Sequence, residues 1–430
     1  MSVLAPVELS GTAKAGSEKS ITRLIVATSI GNALEWYDIT VYGYFALYVS
    51  KAFFPNDDQT TSLLLTFGTF ALAYLARPVG GLMLGAYADR HGRKASLLVS
   101  IVLMTLGTLS VAVMPTYGTI GTLAPIAVLL ARLVQGFSAG GEFGSSTAFL
   151  VEHRPDRRGF IASWQFASQG LSNLLASAFG VGLTAWMAPT DLTSWGWRIP
   201  FLFGVLIGPI GIYIRNHLED ATAPPAGQTS PIREVLLHQK FRVLLGIGAL
   251  AISTAVNYLI IYMPTYVVKN FHLPPITGYT ATFVGSIMVM LLTPFAGMVS
   301  DRIGRTRHMI TINILLLLSI FPAFLLITKY PTPAVIVFAV LWLSTLKAIY
   351  YGPLAALMSE LLPAATRATG LGLGYNIGVT LFGGMGPVTV TWLGGFALIG
   401  DLAPGYYLTV VGIFSLGTLL TIHATSAASR

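Results

Sequence analysis

A charged loop motif occurs twice in this chain, each time between two long apolar runs. The first copy reads GAYADRHGRK over residues 85–94, and the second reads GMVSDRIGRTR over residues 297–307. The equivalent residues Asp89 and Asp301 are 212 positions apart, about half of a chain of 430 residues. The repeat therefore predicts two related helical halves, each presenting a charged loop to the same side of a membrane.

Twelve apolar stretches approach the roughly 20 residues that a membrane-spanning helix requires. Only 10% of the residues are charged, whereas a soluble domain has roughly a quarter. A large soluble enzyme is excluded because these stretches lack polar faces. We predict an all-α integral membrane protein with two pseudo-symmetric six-helix bundles. The predicted spans are 22–49, 62–86, 96–114, 120–150, 159–187, 198–215, 243–268, 278–299, 308–328, 333–358, 369–396 and 405–426.

The longest polar gap between spans separates the two predicted bundles. We predict a tail at 1–21, a first bundle at 22–216, a linker at 217–241, a second bundle at 242–426 and a tail at 427–430. The N-terminal tail lacks the pattern of a signal peptide. The chain has no cysteine, so it has neither a disulfide nor a thiolate metal site.

The basic residues are distributed unevenly between the two sides of the predicted membrane. Loops after even-numbered spans carry fourteen Lys and Arg residues, and loops after odd-numbered spans carry four. Because basic loops remain in the cytoplasm, the even-numbered loops and both termini are expected there. The net charge of +8 thus follows the membrane topology and does not indicate a nucleic-acid partner.

Together with the repeated loop, four further stretches resemble one transporter family. They are GNALEWYD at 31–38, RPVGG at 77–81, RLVQGFSAGGE at 132–142 and WGWRIPF at 195–201. The loop and the twelve spans resemble the major facilitator superfamily, and these stretches resemble its metabolite:proton symporters, whose members carry citrate, 2-oxoglutarate, shikimate, proline or betaines. The resemblance covers about residues 25–425. It implies a cofactor-free carrier of the bacterial inner membrane that works as a monomer by alternating access.

The same resemblance implies that the two charged loops form a latch, closed in one transport state and open in the other. An Asp in such a loop is suited to cap the next helix while it pairs with Arg. The gating residues implied are Gly85, Asp89, Arg90, Gly92, Arg93, Asp301, Arg302, Gly304 and Arg305.

Ionisable side chains inside the bilayer cost at least about 2.5–3.5 kcal/mol each, so they are rare and usually functional. In the first predicted span, Asn32, Glu35 and Asp38 recur every three residues and share one helical face. A pair of nearby buried carboxylates favours protonation of one member. Either Glu35 or Asp38 is therefore a candidate proton carrier, and the alternative is a static ion pair with Arg132.

Two arginines with fixed charge are candidates for coupling or for binding an anionic substrate. Arg132 lies three residues before Gln135 on one face of the fourth span, and the family resemblance associates such an arginine with proton coupling. Arg77 lies in the second span before Pro78, and the family resemblance implies that it binds a carboxylate. The alternative is that its side chain extends to the membrane surface. The resemblance implies the same role for Arg198, and the alternative is that it anchors the sixth span at the interface.

Lys347 is the residue that most clearly indicates the charge of the substrate. It lies near the centre of the tenth span, and no acidic residue lies inside any span of the second half. A central ammonium without such a partner favours an anionic substrate, or pairing with Glu35 or Asp38 across the bundles.

Polar side chains in other spans complete the predicted binding site. Each of them is also of a type that joins membrane helices to one another. The full set of predicted substrate-binding residues is Asn32, Arg77, Arg132, Gln135, Gln165, Gln169, Arg198, Lys347, Tyr350, Tyr375 and Asn376.

The predicted function is proton-coupled import of a small organic anion, such as a di- or tricarboxylate. The alternative is a proton-coupled carrier of a zwitterion such as proline or betaine, which an aromatic box would bind. An enzyme is disfavoured because the seven histidines are scattered and form no metal cluster. A membrane sensor would need an additional signalling domain. Coupling to sodium stays open.

Overall fold

A computed structural model of the protein describes residues 18–153, 155–216 and 231–428. These residues form helices and contain no β-strand. The helices are α1 (Glu18–Tyr44), α2 (Ala46–Phe53), α3 (Gln59–His91), α4 (Arg93–Val113), α5 (Tyr117–Ile120), α6 (Leu123–Ser138), α7 (Glu142–His153), α8 (Arg158–Trp186), α9 (Pro189–Ser194), α10 (Ile199–Asn216), α11 (Pro231–His238), α12 (Lys240–Phe271), α13 (Pro275–Ile303), α14 (Arg305–Lys329), α15 (Pro333–Glu360), α16 (Arg367–Gly378), α17 (Gly386–Leu393) and α18 (Ala403–Ala428).

Within these ranges, the helices account for all twelve predicted spans, and eight segments are long and apolar enough to cross a membrane by length and composition. Three predicted spans are interrupted. The first breaks at Phe45, between α1 and α2, and the fourth breaks at 139–141, where two glycines separate α6 from α7. The eleventh consists of α16, a π-helical segment at Val379–Gly384, and α17.

The repeated loops have the same backbone conformation. Gly92 precedes α4 with φ 88° and ψ 152°, and Gly304 precedes α14 with φ 92° and ψ 130°. An L-residue with a side chain rarely adopts such a positive φ. Glycine is therefore required at both turns, and the repeat in sequence is also a repeat in structure.

The helices pack as two bundles, called here the first half (α1–α10) and the second half (α12–α18). In the first half, α3 packs on α6, α1 on α8 and α4 on α10; in the second, α13 packs on α15 and α14 on α18. The halves meet where α8 packs on α13 and α15, and where α7 packs on α16. Residues 217–230 of the predicted linker lie outside the described residues, so the division at 217–241 stays a prediction.

Candidate functional site

Arg77 is a buried cation held between aromatic rings. Its side chain is 3% exposed, and its guanidinium carbon lies 4.2 Å from the ring centre of Tyr74 and 5.2 Å from that of Trp36. Glu35 lies within electrostatic range of Arg77. Among the described residues, no oxygen accepts a hydrogen bond from this guanidinium. The rings stabilise its charge and leave its N–H groups available to a ligand.

Arg132 lies deeper in the first half and has different partners. Its guanidinium lies 4.3 Å from the ring centre of Tyr42 and 5.4 Å from that of Phe70. Its Nη1 donates to Oε1 of Gln135 at 2.6 Å, and Nε2 of Gln135 donates to Oγ1 of Thr108 at 2.7 Å. The structure thus joins Arg132 and Gln135, as their spacing in the sequence suggests.

The two carboxylates of α1 lie beside different arginines. Asp38 is 3% exposed and lies within electrostatic range of Arg132. Its Oδ1 has no hydrogen-bond partner. Glu35, which is half-buried, lies near Arg77. Although the two acids are only three residues apart on α1, each lies near a different arginine.

A row of three amide side chains on α8 connects the two halves. Gln165 donates through Nε2 to Oδ1 of Asn32 at 3.3 Å, and Asn32 donates through Nδ2 to the carbonyl oxygen of Gln165 at 2.9 Å. One turn further on, Nε2 of Gln169 donates to the hydroxyl of Tyr375 at 2.9 Å. Asn173 reaches the second half through Asn257. The row thus crosses from α1 to α16 and α12.

Lys347 is buried in the second half beside a neutral acceptor. Its side chain is 1% exposed, and its Nζ donates to Oδ1 of Asn257 at 2.9 Å. The same oxygen accepts from Nδ2 of Asn173 at 3.0 Å. No carboxylate of the described residues lies within 4.0 Å of Nζ. The ring centre of Tyr351 lies 5.5 Å from the ammonium. The charge is therefore solvated by one amide and one ring.

Tyr375 and Asn376 on α16 both contact the first half. The ring of Tyr375 stacks on that of Phe143 with centroids 3.4 Å apart, and Trp36 meets it edge-on at 6.3 Å. Nδ2 of Asn376 donates to the carbonyl oxygen of Gly140 at 2.7 Å, at the break between α6 and α7. The break exposes a backbone acceptor that the second half uses.

Two predicted substrate ligands lie apart from this group. Arg198 donates to the carbonyl oxygens of Ala112 at 2.6 Å and Met114 at 2.7 Å, so it caps the end of α4. Tyr350 donates to the carbonyl oxygen of Ala249 at 2.6 Å. Both side chains are committed to helix packing, and their roles in binding stay predictions.

The second charged loop joins the halves on the face that carries both loops, called here the basic face. Asp301 accepts from the backbone N–H groups of Gly159 at 2.8 Å and Phe160 at 3.0 Å. It also pairs with Arg305, which binds Glu360. We expected Asp301 to cap the next helix, α14, but it caps α8 of the other half. Its position at the end of α13, which packs along α8, explains the difference.

The first loop is described in part. The side chains of Asp89 and Arg93 lie outside the described residues, while Arg90 and Arg302 are exposed. A further pair, Arg367 with Glu152 at 2.9 Å, joins α16 to the first half on the basic face.

The halves also touch on the opposite face. The hydroxyl of Tyr279 on α13 donates to the carbonyl oxygen of Tyr44 at 2.9 Å, at the end of α1. Phe67 and Tyr262 meet edge-on with ring centroids 5.3 Å apart. The buried polar side chains are therefore enclosed between contacts on both faces.

Sequence reasoning missed the aromatic side chains that hold the cations, notably Tyr74 and Trp36. A single aromatic residue in an apolar run carries little information by itself. Their spacing was the available signal, because Tyr74 precedes Arg77 by three residues and thus lies on the same helical face.

Two repeated helical bundles with buried charges at their interface define a secondary transporter of the membrane rather than an enzyme. The family profile of the Major Facilitator Superfamily matches residues 28–387. A citrate-proton symporter of Klebsiella pneumoniae is 35% identical over 434 residues, covering 98% of this chain and 96% of the relative. The chain belongs to the Major Facilitator Superfamily, as its loops and spans suggested.

Other proteins that this chain resembles are named for different substrates. A proline/betaine transporter of Escherichia coli strain K12 is 32% identical over 424 residues, covering 94% of this chain and 84% of the relative. The structure of the proton:xylose symporter XylE bound to 6-bromo-6-deoxy-D-glucose matches with a TM-score of 0.77 at 15% identity, covering 95% of this chain and 96% of that one. The latter likeness shows the fold alone.

Proposed function

We propose that this transporter imports a small organic anion, such as citrate or 2-oxoglutarate, together with protons. The observation that carries the proposal is the guanidinium of Arg77, which is buried between Trp36 and Tyr74 and has no acceptor among the described residues. A buried cation without hydrogen-bonded oxygens is costly, and a bound carboxylate would supply them in bidentate geometry. Lys347, bonded to the neutral Asn257, supplies a second cation.

Protons enter the proposal through the carboxylates of α1. Asp38 lies beside Arg132 with one oxygen unpaired, so its affinity for a proton depends on how closely that arginine approaches. A substrate anion that binds Arg77 would similarly change the electrostatic environment of Glu35. Proton uptake on the carboxylates offsets the negative charge of the substrate. The citrate-proton symporter that this chain resembles supports the same coupling.

The two enclosing sets of contacts support alternating access. Breaking the hydrogen bonds of Asp301 to α8 and the ion pair of Arg367 with Glu152 would open the basic face. Breaking the contact of Tyr279 with Tyr44 would open the opposite face. We place the basic face and both termini in the cytoplasm of a bacterium, because basic loops are retained there. We further propose that one chain suffices, since both halves of the site lie in it.

The test is uptake of labelled citrate and 2-oxoglutarate into proteoliposomes under an imposed proton gradient and then a sodium gradient. We expect proton-driven uptake by the wild type and its loss in Lys347→Ala. Lys329→Ala is the control, because Lys329 lies at the end of α14, beside Tyr330. Absence of uptake for both acids would contradict the anion proposal, and uptake driven by sodium alone would contradict proton coupling.

A zwitterion such as proline or betaine is the second candidate, supported by the proline/betaine transporters among the relatives. The aromatic faces of Trp36 and Tyr74 would suit a quaternary ammonium. Arg77 already covers both rings, however, which favours the anion. If excess glycine betaine inhibited citrate uptake, the zwitterion would become the favoured substrate.

A further inference from the structure

Tyr74 is the point on α3 where several contacts from the second half converge. The hydroxyl of Tyr258 on α12 donates to the hydroxyl of Tyr74 at 2.5 Å. Both side chains are buried, at 1% exposure each. The bond crosses between the halves in the interior of the molecule, between the contacts that enclose the site on its two faces.

The backbone of Tyr74 makes a second bond across the same interface. Pro78 has no N–H group, so the carbonyl oxygen of Tyr74, four residues earlier, lacks its helical donor. Oγ1 of Thr380 lies 2.9 Å from that oxygen and 2.7 Å from the carbonyl oxygen of Asn376, so its single hydrogen is shared between the two acceptors. Thr380 lies in the π-helical segment Val379–Gly384, a type of irregularity that is frequent at functional sites.

Two glycines of the π-helical segment also pack directly against the two tyrosine rings. A β-carbon at Gly384 would lie 2.7 Å from the ring of Tyr74, and one at Gly383 would lie 2.5 Å from the ring of Tyr258. Both approaches are closer than any side chain allows. The second half is thus shaped to fit the two rings while their hydroxyls are bonded.

The hydroxyl pair leaves a donor without an acceptor. Two hydroxyls joined by one hydrogen bond use one of their two protons, and within the described chain no acceptor is found for the other. The guanidinium of Arg77 lies over the ring of Tyr74 and also lacks an acceptor there. Two adjacent groups therefore offer hydrogens, and an anion is the ligand that accepts from both.

We propose that Tyr74 is a positioning residue that links substrate binding to the movement of the two halves. In the empty transporter, its hydroxyl holds Tyr258 and so holds the halves together. An anionic group that docks on Arg77 accepts the hydrogen of Tyr74, which makes the Tyr74 oxygen a stronger acceptor for the hydroxyl of Tyr258 and so draws α3 and α12 together. The inference rests on the proposed function for the identity of the ligand, while the link between the halves is independent of it.

The test uses single cysteines, because the natural chain has none. Ser163→Cys reports on the basic face, where Ser163 lies against Gly297 of the other half, and Phe67→Cys reports on the opposite face. The rate of reaction with a water-soluble maleimide measures how often each interface opens. Each reporter is compared with and without Tyr74→Phe, which removes the hydroxyl and keeps the ring.

We expect Tyr74→Phe to speed labelling of at least one reporter about 10-fold without substrate, as loss of one hydrogen bond predicts. It should also raise the KM for citrate about 10-fold and abolish the effect of citrate on labelling. Thr380→Val should speed labelling while leaving KM unchanged, because it breaks the link without touching the substrate. Tyr266→Phe is the matched control, since its hydroxyl donates to the carbonyl oxygen of Asp401 within the second half.

Wild-type labelling rates and KM in Tyr74→Phe would overturn the inference. An equal rise in KM for Tyr266→Phe would also overturn it, since the effect would then be general. If the wild type transports neither citrate nor 2-oxoglutarate, the proposed function fails. Labelling of Tyr74→Phe without substrate still decides in that case whether the hydroxyl pair holds the halves together.

Discussion

Lys347 and Asn257 form a buried pair in which Nζ of the lysine donates to a neutral amide oxygen at 2.9 Å. The amide also accepts from Asn173 on α8, so the ammonium is tied to the opposite half through one intermediate. The pairing keeps Lys347 in place without adding a negative charge beside it, as the proposed anionic substrate requires.

Asn257→Asp should add that negative charge. The new carboxylate would form an ion pair with Lys347, and the KM for the anion should rise at least about 10-fold, because a charged hydrogen bond contributes about 1.5–3 kcal/mol. Uptake kinetics in proteoliposomes measure this change in KM. Asn313→Asp is the control, because Asn313 is fully buried in α14 beside Gly412 and Ser415. Equal losses in both variants would show that any buried acid disrupts the second half.

Asp38→Asn should abolish the accumulation of substrate against its gradient but preserve the exchange of substrate across the membrane. An amide cannot carry the proton, so we expect loss of proton-driven uptake while exchange of internal for external substrate continues. Counterflow and gradient-driven uptake are measured on the same vesicles. Glu35→Gln tests the other acid, and Asp57→Asn, in the exposed loop before α3, is the control. Normal accumulation by Asp38→Asn would transfer the coupling role to Glu35.

Arg198→Ala should lower stability without changing substrate affinity. It removes two hydrogen bonds to the end of α4, and since the side chain is half-exposed we expect a loss of about 1–2 kcal/mol. Thermal unfolding in detergent and the KM for uptake are measured together. Arg233→Ala, exposed on α11, should change neither. A large rise in KM with an unchanged melting temperature would instead support the predicted substrate-binding role.

His308→Leu should destabilise the second half through the backbone of α15. Pro353 leaves the carbonyl oxygen of Ile349 without its helical donor, and Nε2 of His308 supplies one at 3.0 Å. Leaving a buried carbonyl unpaired costs about 1–3 kcal/mol. In the double variant with Pro353→Ala, the restored N–H should recover most of the loss. Additive losses in thermal unfolding would contradict this account.

The sequence predicted the helical spans and the repeat because both depend on local composition and spacing. It also predicted that charges would lie inside the bundles, since charge is expensive in lipid. It did not predict which charges meet. Glu35 and Asp38 share a helical face, yet one lies near Arg77 and the other near Arg132, because two different helices approach that face.

Other features depend on contacts between distant segments. Arg198 resembles a ligand by its neighbours in sequence, whereas its partners Ala112 and Met114 lie more than 80 positions earlier. The break at 139–141 matters because Asn376 binds the exposed carbonyl of Gly140. Neither pattern repeats with a helical period, so neither could be read from periodicity.

The cap on α8 has a consequence for how the chain is made. The first N–H groups of α8 bind Asp301, a residue 141 to 142 positions further along the chain. During synthesis α8 enters the membrane long before Asp301 leaves the ribosome, so its first turn must be hydrated at the surface until the second half arrives. The cap of an early helix therefore depends on a residue that is synthesised much later.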